Sequence, residues 1–183
     1  MRTWLKQAAP PAAADRARVQ DTVRGIIADI EANGDAAVAK YARQFDKWEK
    51  AEFRESPDRI RAVERALPET FKDDFAYALK QVTGFAMAQR NSLSEFATEI
   101  EPGVTLGQKL IPIEKVGCYI PGGKYPLIAA AIMSIATAKA AGCAHVIGAA
   151  PPRDADGIYA PTLYAMAQSG ADEIFCVGGV QAL

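Results

Sequence analysis

The sequence predicts an α/β fold in which a helical N-terminal region precedes a parallel βαβαβ sheet. Three apolar runs that each end in a turn carry the prediction. Val116–Ile120 meets Pro121-Gly122-Gly123, His145–Ala150 meets Pro151-Pro152, and Glu173–Val177 meets Gly178-Gly179. The stretches between these runs are helical in pattern, as parallel strands require. Parallel strands bring such turns to one sheet edge, where loops distant in sequence converge on one ligand. Taken alone, Pro121-Gly122 reads as a type II turn with the glycine at positive φ. Neither G-x-G-x-x-G nor G-x-x-x-x-G-K-[ST] occurs, so the usual nucleotide fingerprints give no support.

Pro10-Pro11-Ala12-Ala13-Ala14 separates a short leader from the first helical pattern. From Asp15, the residues Val19, Val23, Ile26, Ile27 and Ile30 form an apolar stripe that stops at Asn33-Gly34. Asp35 is expected to cap a second helix with Val38, Tyr41, Ala42 and Phe45 facing inward. Ser56-Pro57-Asp58 is a strong helix start, with a side-chain cap, a first-turn proline and an acid that suits the helix dipole. Pro68-Glu69 opens another helix, whose core stripe is Phe71, Phe75, Leu79, Val82 and Phe85. After Asn91, short extended pieces at 99–101, 104–106 and 110–113 are expected as edge or hairpin strands leading into the sheet. The organisation is a helical region over 1–94 and an α/β region over 95–183.

A chain of 183 residues, half of them hydrophobic, can bury a real core. Lys plus Arg total 21 against 22 for Asp plus Glu, with no long block of either sign, so neither nucleic acid nor a membrane surface is expected as partner. The opening residues lack the apolar core of a secretory signal. Leu127–Ala138, the most apolar stretch, is broken by Ser134 and Thr137 and falls short of the roughly 20 residues a membrane span needs. A soluble, cytoplasmic protein is expected. Cys118, Cys143 and Cys176 form no C-x-x-C pair, which argues against a disulfide framework or a zinc ribbon. Cys118 and Cys176 are expected as buried structural thiols. The single histidine, His145, is expected to be structural, lacking neighbouring acidic or cysteine ligands. Gly178-Gly179 permits close backbone approach and amide donation at a helix start. Lys124 reads as a solvated surface lysine.

Four blocks in order resemble the amino-terminal half of the histidinol dehydrogenase family. They are Val-Gly-Cys-Tyr-Ile-Pro-Gly-Gly at 116–123, Ala-Lys-Ala-Ala-Gly-Cys at 138–143, Pro151-Pro152, and Val-Gly-Gly-Val-Gln-Ala at 177–182. The resemblance extends upstream through Asn33-Gly34-Asp35-Ala36-Ala37 and Phe45-Asp46-Lys47-Trp48, covering most of the chain. Val180 stands where the histidinol enzymes usually carry Ala, and Thr137 where they carry Pro before Ala138. Phe45-Asp46-Lys47-Trp48, Leu106-Gly107-Gln108-Lys109 and Gly123-Lys124-Tyr125-Pro126 are more similar to the branch that includes sulfopropanediol dehydrogenases.

The resemblance implies an incomplete Rossmann-like NAD-binding domain over 95–183, with Tyr119 and Gln181 as cofactor-binding residues. On residue type alone, Tyr119 is a structural aromatic and Gln181 a solvated polar group; the resemblance assigns both to NAD. A tyrosine ring can stack on a dinucleotide, and a glutamine amide can both donate to and accept from a ribose or carboxamide. The implied reaction oxidises a primary alcohol through an aldehyde to a carboxylate, consuming two NAD and using zinc. The implied substrate is a small molecule similar to sulfopropanediol, with histidinol oxidation to histidine as the alternative. The family's zinc ligands and acid/base residues are expected beyond Leu183, leaving no catalytic or metal residue in this chain. The chain accordingly reads as a fragment, inactive alone, of an enzyme that is a homodimer at full length. A reading from another class is a non-catalytic nucleotide-binding or interaction module.

Overall fold

The structure is a computed structural model that describes residues 13–122 and 125–182. Helix α1 (Ala13–Asn33) turns at Gly34 into α2 (Asp35–Tyr41), which widens into a π-helical turn over Ala42–Asp46. Gly34 itself occupies the N-cap at φ 54, so Asp35 does not cap as expected but lies in the first turn. The corner is held by the Asp29 carboxylate, which accepts from Asn33 Nδ2 at 2.7 Å, Lys40 Nζ at 2.7 Å and Tyr41 Oη at 2.8 Å. Ile26, Ala37 and Tyr41 form a small core beneath it. Val19, Ile27 and Phe45 depart from their expected inward placement and remain largely exposed. Phe45 stacks on Tyr41 but faces solvent on its other side.

Helix α3 (Pro57–Ala66) starts as its sequence requires, with the Ser56 hydroxyl accepting from the Arg59 N–H. Helix α4 (Glu69–Asn91) follows Pro68. Its Phe71 and Phe75 pack against Tyr164, with ring centroids 5.9 and 5.5 Å apart. Leu79 and Val82 continue that stripe and Ala86 stays half-buried, so Phe85, one position off this face, is exposed. Strands β1 (Phe96–Glu101) and β2 (Val104–Gln108) pair antiparallel around the Pro102-Gly103 turn. This hairpin forms a two-stranded sheet of its own instead of leading into the parallel sheet, and residues 110–113 form no strand.

The parallel sheet has the order β3-β4-β5, from β3 (Lys115–Tyr119), β4 (His145–Ala150) and β5 (Glu173–Cys176). The first crossover is α5 (Ile128–Ala131), a π-helical turn over Ile132–Ala136, and α6 (Thr137–Ala141); the second is α7 (Ala160–Gln168). Sequential strand order with right-handed crossovers places both on one face. Val146, Gly148 and Ala150 are buried under these helices, while Ile147 and Ala149 alternate with them and are only half-buried. Gly148 packs closely: an added Cβ would come within 2.6 Å of Met166 Cε, and that buried side chain would have to move. Helices α3 and α4 cover α7 and α6 in turn, so Phe75, Ile135, Leu163 and Ile174 belong to a single core.

The outer edge of β5 would be an open template for association in a sheet that stopped there. It is covered instead by residues 53–55, paired antiparallel. Glu55 N–H donates to Ile174 C=O at 2.8 Å, and Cys176 N–H donates to Phe53 C=O at 2.6 Å. Cys118 and Cys176 are buried free thiols, as expected, and so is Cys143. Burial pushes the Cys176 thiol up to about 12. No helix of the described residues is long and apolar enough to cross a membrane.

Three outcomes test this architecture. Leu163 is fully buried between the sheet and the outer helices, so Leu163→Ala should cost about 2–5 kcal/mol in urea unfolding. Ser56→Ala, which removes only a cap, should cost about 1 kcal/mol. The three donors around Asp29 lower its carboxyl from the ordinary 3.8 to about 2. A depressed folded pKa gives stability that is present above the unfolded value and lost as pH falls through the folded one. The melting-temperature gap between the parent and Asp29→Asn should therefore hold at neutral pH and close between about pH 4 and pH 2.

Candidate functional site

The carboxyl ends of β3, β4 and β5 and the turn after α2 enclose a cleft of ≈ 350 Å³. Tyr119 closes it from β3, Ala150 to Arg153 from the β4 turn, Gly179 from the β5 turn, and Asp46 from the π-helical turn. Ile158, Tyr159 and Thr162 line it from the start of α7. This is where a parallel α/β sheet binds ligands, because the strand-to-helix turns open there.

The glycines of the turns have distinct roles. Gly122 and Gly178 both pack against Pro151, where an added Cβ would lie 2.6 Å from its Cγ and 2.7 Å from its Cβ respectively. The proline thus draws the three turns together. Gly122 has no positive φ, so Pro121-Gly122 does not form the expected type II turn; Gly123 and Lys124 lie outside the described residues. Gly179 does adopt the left-handed region at φ 66 and brings bare backbone to the cleft.

The loop after β4 is clamped from behind. Arg59 donates through its guanidinium to the carbonyls of Asp156 and Ile158, and its Nε lies 2.9 Å from Glu55 Oε2. Glu55 is itself buried, and burial raises its carboxyl while Arg59 opposes the rise. Gly157, at φ 113, is sealed between Trp48, Glu55 and Arg59. The clamp therefore fixes the wall formed by Ile158 and Tyr159.

Several polar atoms around the cleft are buried without a hydrogen-bond partner among the described residues: Asp46 Oδ2, Thr162 Oγ1, and both Oε1 and Nε2 of Gln181. Leaving such groups unmade costs about 1–3 kcal/mol each, so the site has hydrogen-bonding capacity for water or a polar ligand. Burial raises the Asp46 carboxyl above its ordinary value, and the neighbouring Gly178 N–H opposes the shift. Of the two expected cofactor residues, Tyr119 lines the cleft directly. Gln181 stands on a single 3₁₀ turn (Val180–Ala182) and folds its amide back over Gly179. Thr162 and Arg153 were not singled out from sequence, and Asp46 was read as part of the Phe45-Asp46-Lys47-Trp48 block but not as a site residue; it is 132 positions from the Gly178 it meets, and no local pattern links them.

The expected isolation of His145 does not hold. Its Nδ1 lies 3.9 Å from Asp172 and its Nε2 3.4 Å from Glu173, because β4 and β5 start side by side. Asp172 is already engaged, accepting from Lys139 Nζ at 2.5 Å and Val146 N–H at 2.7 Å. Among the described residues no group of three His, Cys, Asp or Glu side chains is placed to hold a metal, so this part of the molecule does not fit zinc.

Comparison with known proteins gives the arrangement its relatives. The chain is 47% identical over 166 residues to a histidinol dehydrogenase homolog of Shouchella clausii, covering 91% of this chain and 39% of that protein. It is 44% identical over 178 residues to the sulfopropanediol 3-dehydrogenase of Ruegeria pomeroyi, covering 97% of this chain and 41% of that protein. The chain thus spans about two fifths of the length of these curated relatives. The crystal structure of histidinol dehydrogenase from Elizabethkingia anophelis superposes with a TM-score of 0.83 at 28% identity, over 97% of this chain and 39% of that one. The family model described as histidinol dehydrogenase matches residues 10–183, and the chain belongs to that family.

Proposed function

We propose that the complete protein is an NAD- and zinc-dependent dehydrogenase that oxidises a small primary alcohol through an aldehyde to a carboxylate. The cleft at the ends of β3, β4 and β5, with its unsatisfied polar atoms, is the observation that carries this reading. NAD, when bound, supplies the hydride acceptor. The residues of this chain bind and orient it. The Tyr119 ring offers a stacking surface, the Gln181 amide exchanges its contact with Gly179 for a ribose or carboxamide, and Gly179 lets the backbone approach. Apolar walls from Pro126, Pro151, Pro152 and Ile158 exclude water. Zinc and the acid/base groups are supplied, on this proposal, by residues beyond this chain. The protein acts as a cytoplasmic homodimer.

For the substrate we favour a small anionic diol similar to sulfopropanediol. The support is the similarity to the Ruegeria pomeroyi protein along nearly the whole chain, against 38% identity to a histidinol dehydrogenase of Methanosarcina mazei. Histidinol is the second reading.

In the complete protein, Tyr119→Ala and Gln181→Ala should each raise the NAD KM by roughly tenfold, a loss of about 1.4 kcal/mol, with little change in melting temperature. Wild-type kinetics in both variants would remove the assignment of these positions. Assayed with NAD and zinc, the protein should turn over the sulfonated diol faster than histidinol. Activity on histidinol alone would reverse the substrate choice.

A further inference from the structure

We infer that Asp46 reads the adenosine ribose of the dinucleotide, accepting a hydrogen bond from its 2′-hydroxyl and excluding a 2′-phosphate. This rests on the NAD reading above and adds to it a residue that sets the choice between NAD and NADP.

Asp46 is held in place from both sides. It closes the π-helical turn, and Lys47 then reverses the chain in the left-handed region at φ 55, the only non-glycine residue with positive φ among those described. That conformation costs an ordinary side chain roughly 1 kcal/mol or more. The reversal sends Trp48, only 5% exposed, into the core. The carboxylate is thereby pressed against the β5 turn, where a Cβ on Gly178 would come within 3.1 Å of Oδ2. A group so fixed is preorganised for recognition.

Its chemistry narrows the partner. No salt bridge reaches Asp46 among the described residues; its side chain lines the cleft, with Oδ2 buried against the β5 turn and the Gly178 N–H as its neighbouring donor. A neutral hydroxyl satisfies such an oxygen; a phosphate adds like charge in a poorly solvated cleft. Arg153, on the β4 turn, is the cation among the described lining residues and suits the anionic pyrophosphate. Among the described residues the cleft therefore carries one anionic and one cationic determinant. A dinucleotide presents both matching parts, a ribose diol and a pyrophosphate. The adenosine ribose is the choice because its 2′-hydroxyl is where NADP carries the added phosphate. An acid that takes the ribose 2′-hydroxyl is also a general device of NAD-selective α/β sheets.

The test is dinucleotide binding by the complete protein without alcohol substrate, followed by tryptophan fluorescence, since Trp48 is two residues from Asp46. The wild type should bind NAD at least about tenfold more tightly than NADP. Asp46→Asn, which keeps a hydrogen-bonding carbonyl but removes the charge, should retain NAD binding and gain NADP binding by roughly tenfold. Equal affinity for NAD and NADP in the wild type overturns the inference whether or not the variant folds. So does an unchanged preference in a folded Asp46→Asn. Failure of the wild type to bind either nucleotide rejects the NAD reading itself, a result distinct from both.

Discussion

The backbone pairing of residues 53–55 with β5 is the constraint on which the rest of the molecule depends. Two hydrogen bonds, Glu55 N–H to Ile174 and Phe53 C=O from Cys176, join the N-terminal helices to a sheet formed more than a hundred residues later. They fix where α2 ends and where α3 begins. Asp46 consequently meets the Gly178 turn, Trp48 closes over Gly157, and Glu55 reaches Arg59. The pairing also ends the sheet at β5 by satisfying an edge that would otherwise recruit another strand.

Around this join the packing is one-sided. Crossover helices cover one face of the sheet and are themselves covered by α3 and α4, giving a core with fully buried Ile120, Ile135, Leu163 and Met166. The opposite face, carrying Gly117, Tyr119, Ile147, Ala149 and Phe175, stays half-buried or exposed. Parallel sheets are normally covered on both faces. The β1–β2 hairpin shows the same imbalance, with Phe96, Ile100, Val104 and Leu106 exposed. Such a ribbon gains little stability by itself. These surfaces agree with a chain that spans about two fifths of its relatives' length.

The cleft has a different economy from the core. Its walls are rigid, drawn together by Pro151 and braced by Arg59, yet its polar atoms are left without partners. Unsatisfied groups on a braced frame cannot relax toward one another, so they retain their capacity for a ligand. Its carboxylate is shifted upward by burial, opposed only by the Gly178 N–H among the described residues, whereas the exposed Asp172 beside His145 is shifted downward, first by Lys139 and then by the Val146 N–H. The second cluster has spent its capacity on tying α6 and the start of β4 to the start of β5.

Much was legible in the sequence, because much of the fold is encoded by neighbours. Ser56-Pro57-Asp58 caps α3 through its own atoms, three apolar runs form the strands, and the turns after them converge as strand direction requires. What lies far apart in the chain was not legible. The stripes on α1 and α4 were readable as periodicity, but which of their residues are covered was set by the neighbouring helices, and these leave Val19 and Phe85 exposed. The hairpin's separation from the sheet, the pairing of 53–55 with β5, and the proximity of His145 to Glu173 all depend on register between distant segments. By itself the sequence determined the α/β class, the turns that form the cleft and the family to which the chain belongs. Only the tertiary structure decided that Asp46 faces that cleft, since a contact across 132 residues is set by the packing of whole elements and leaves no local signature.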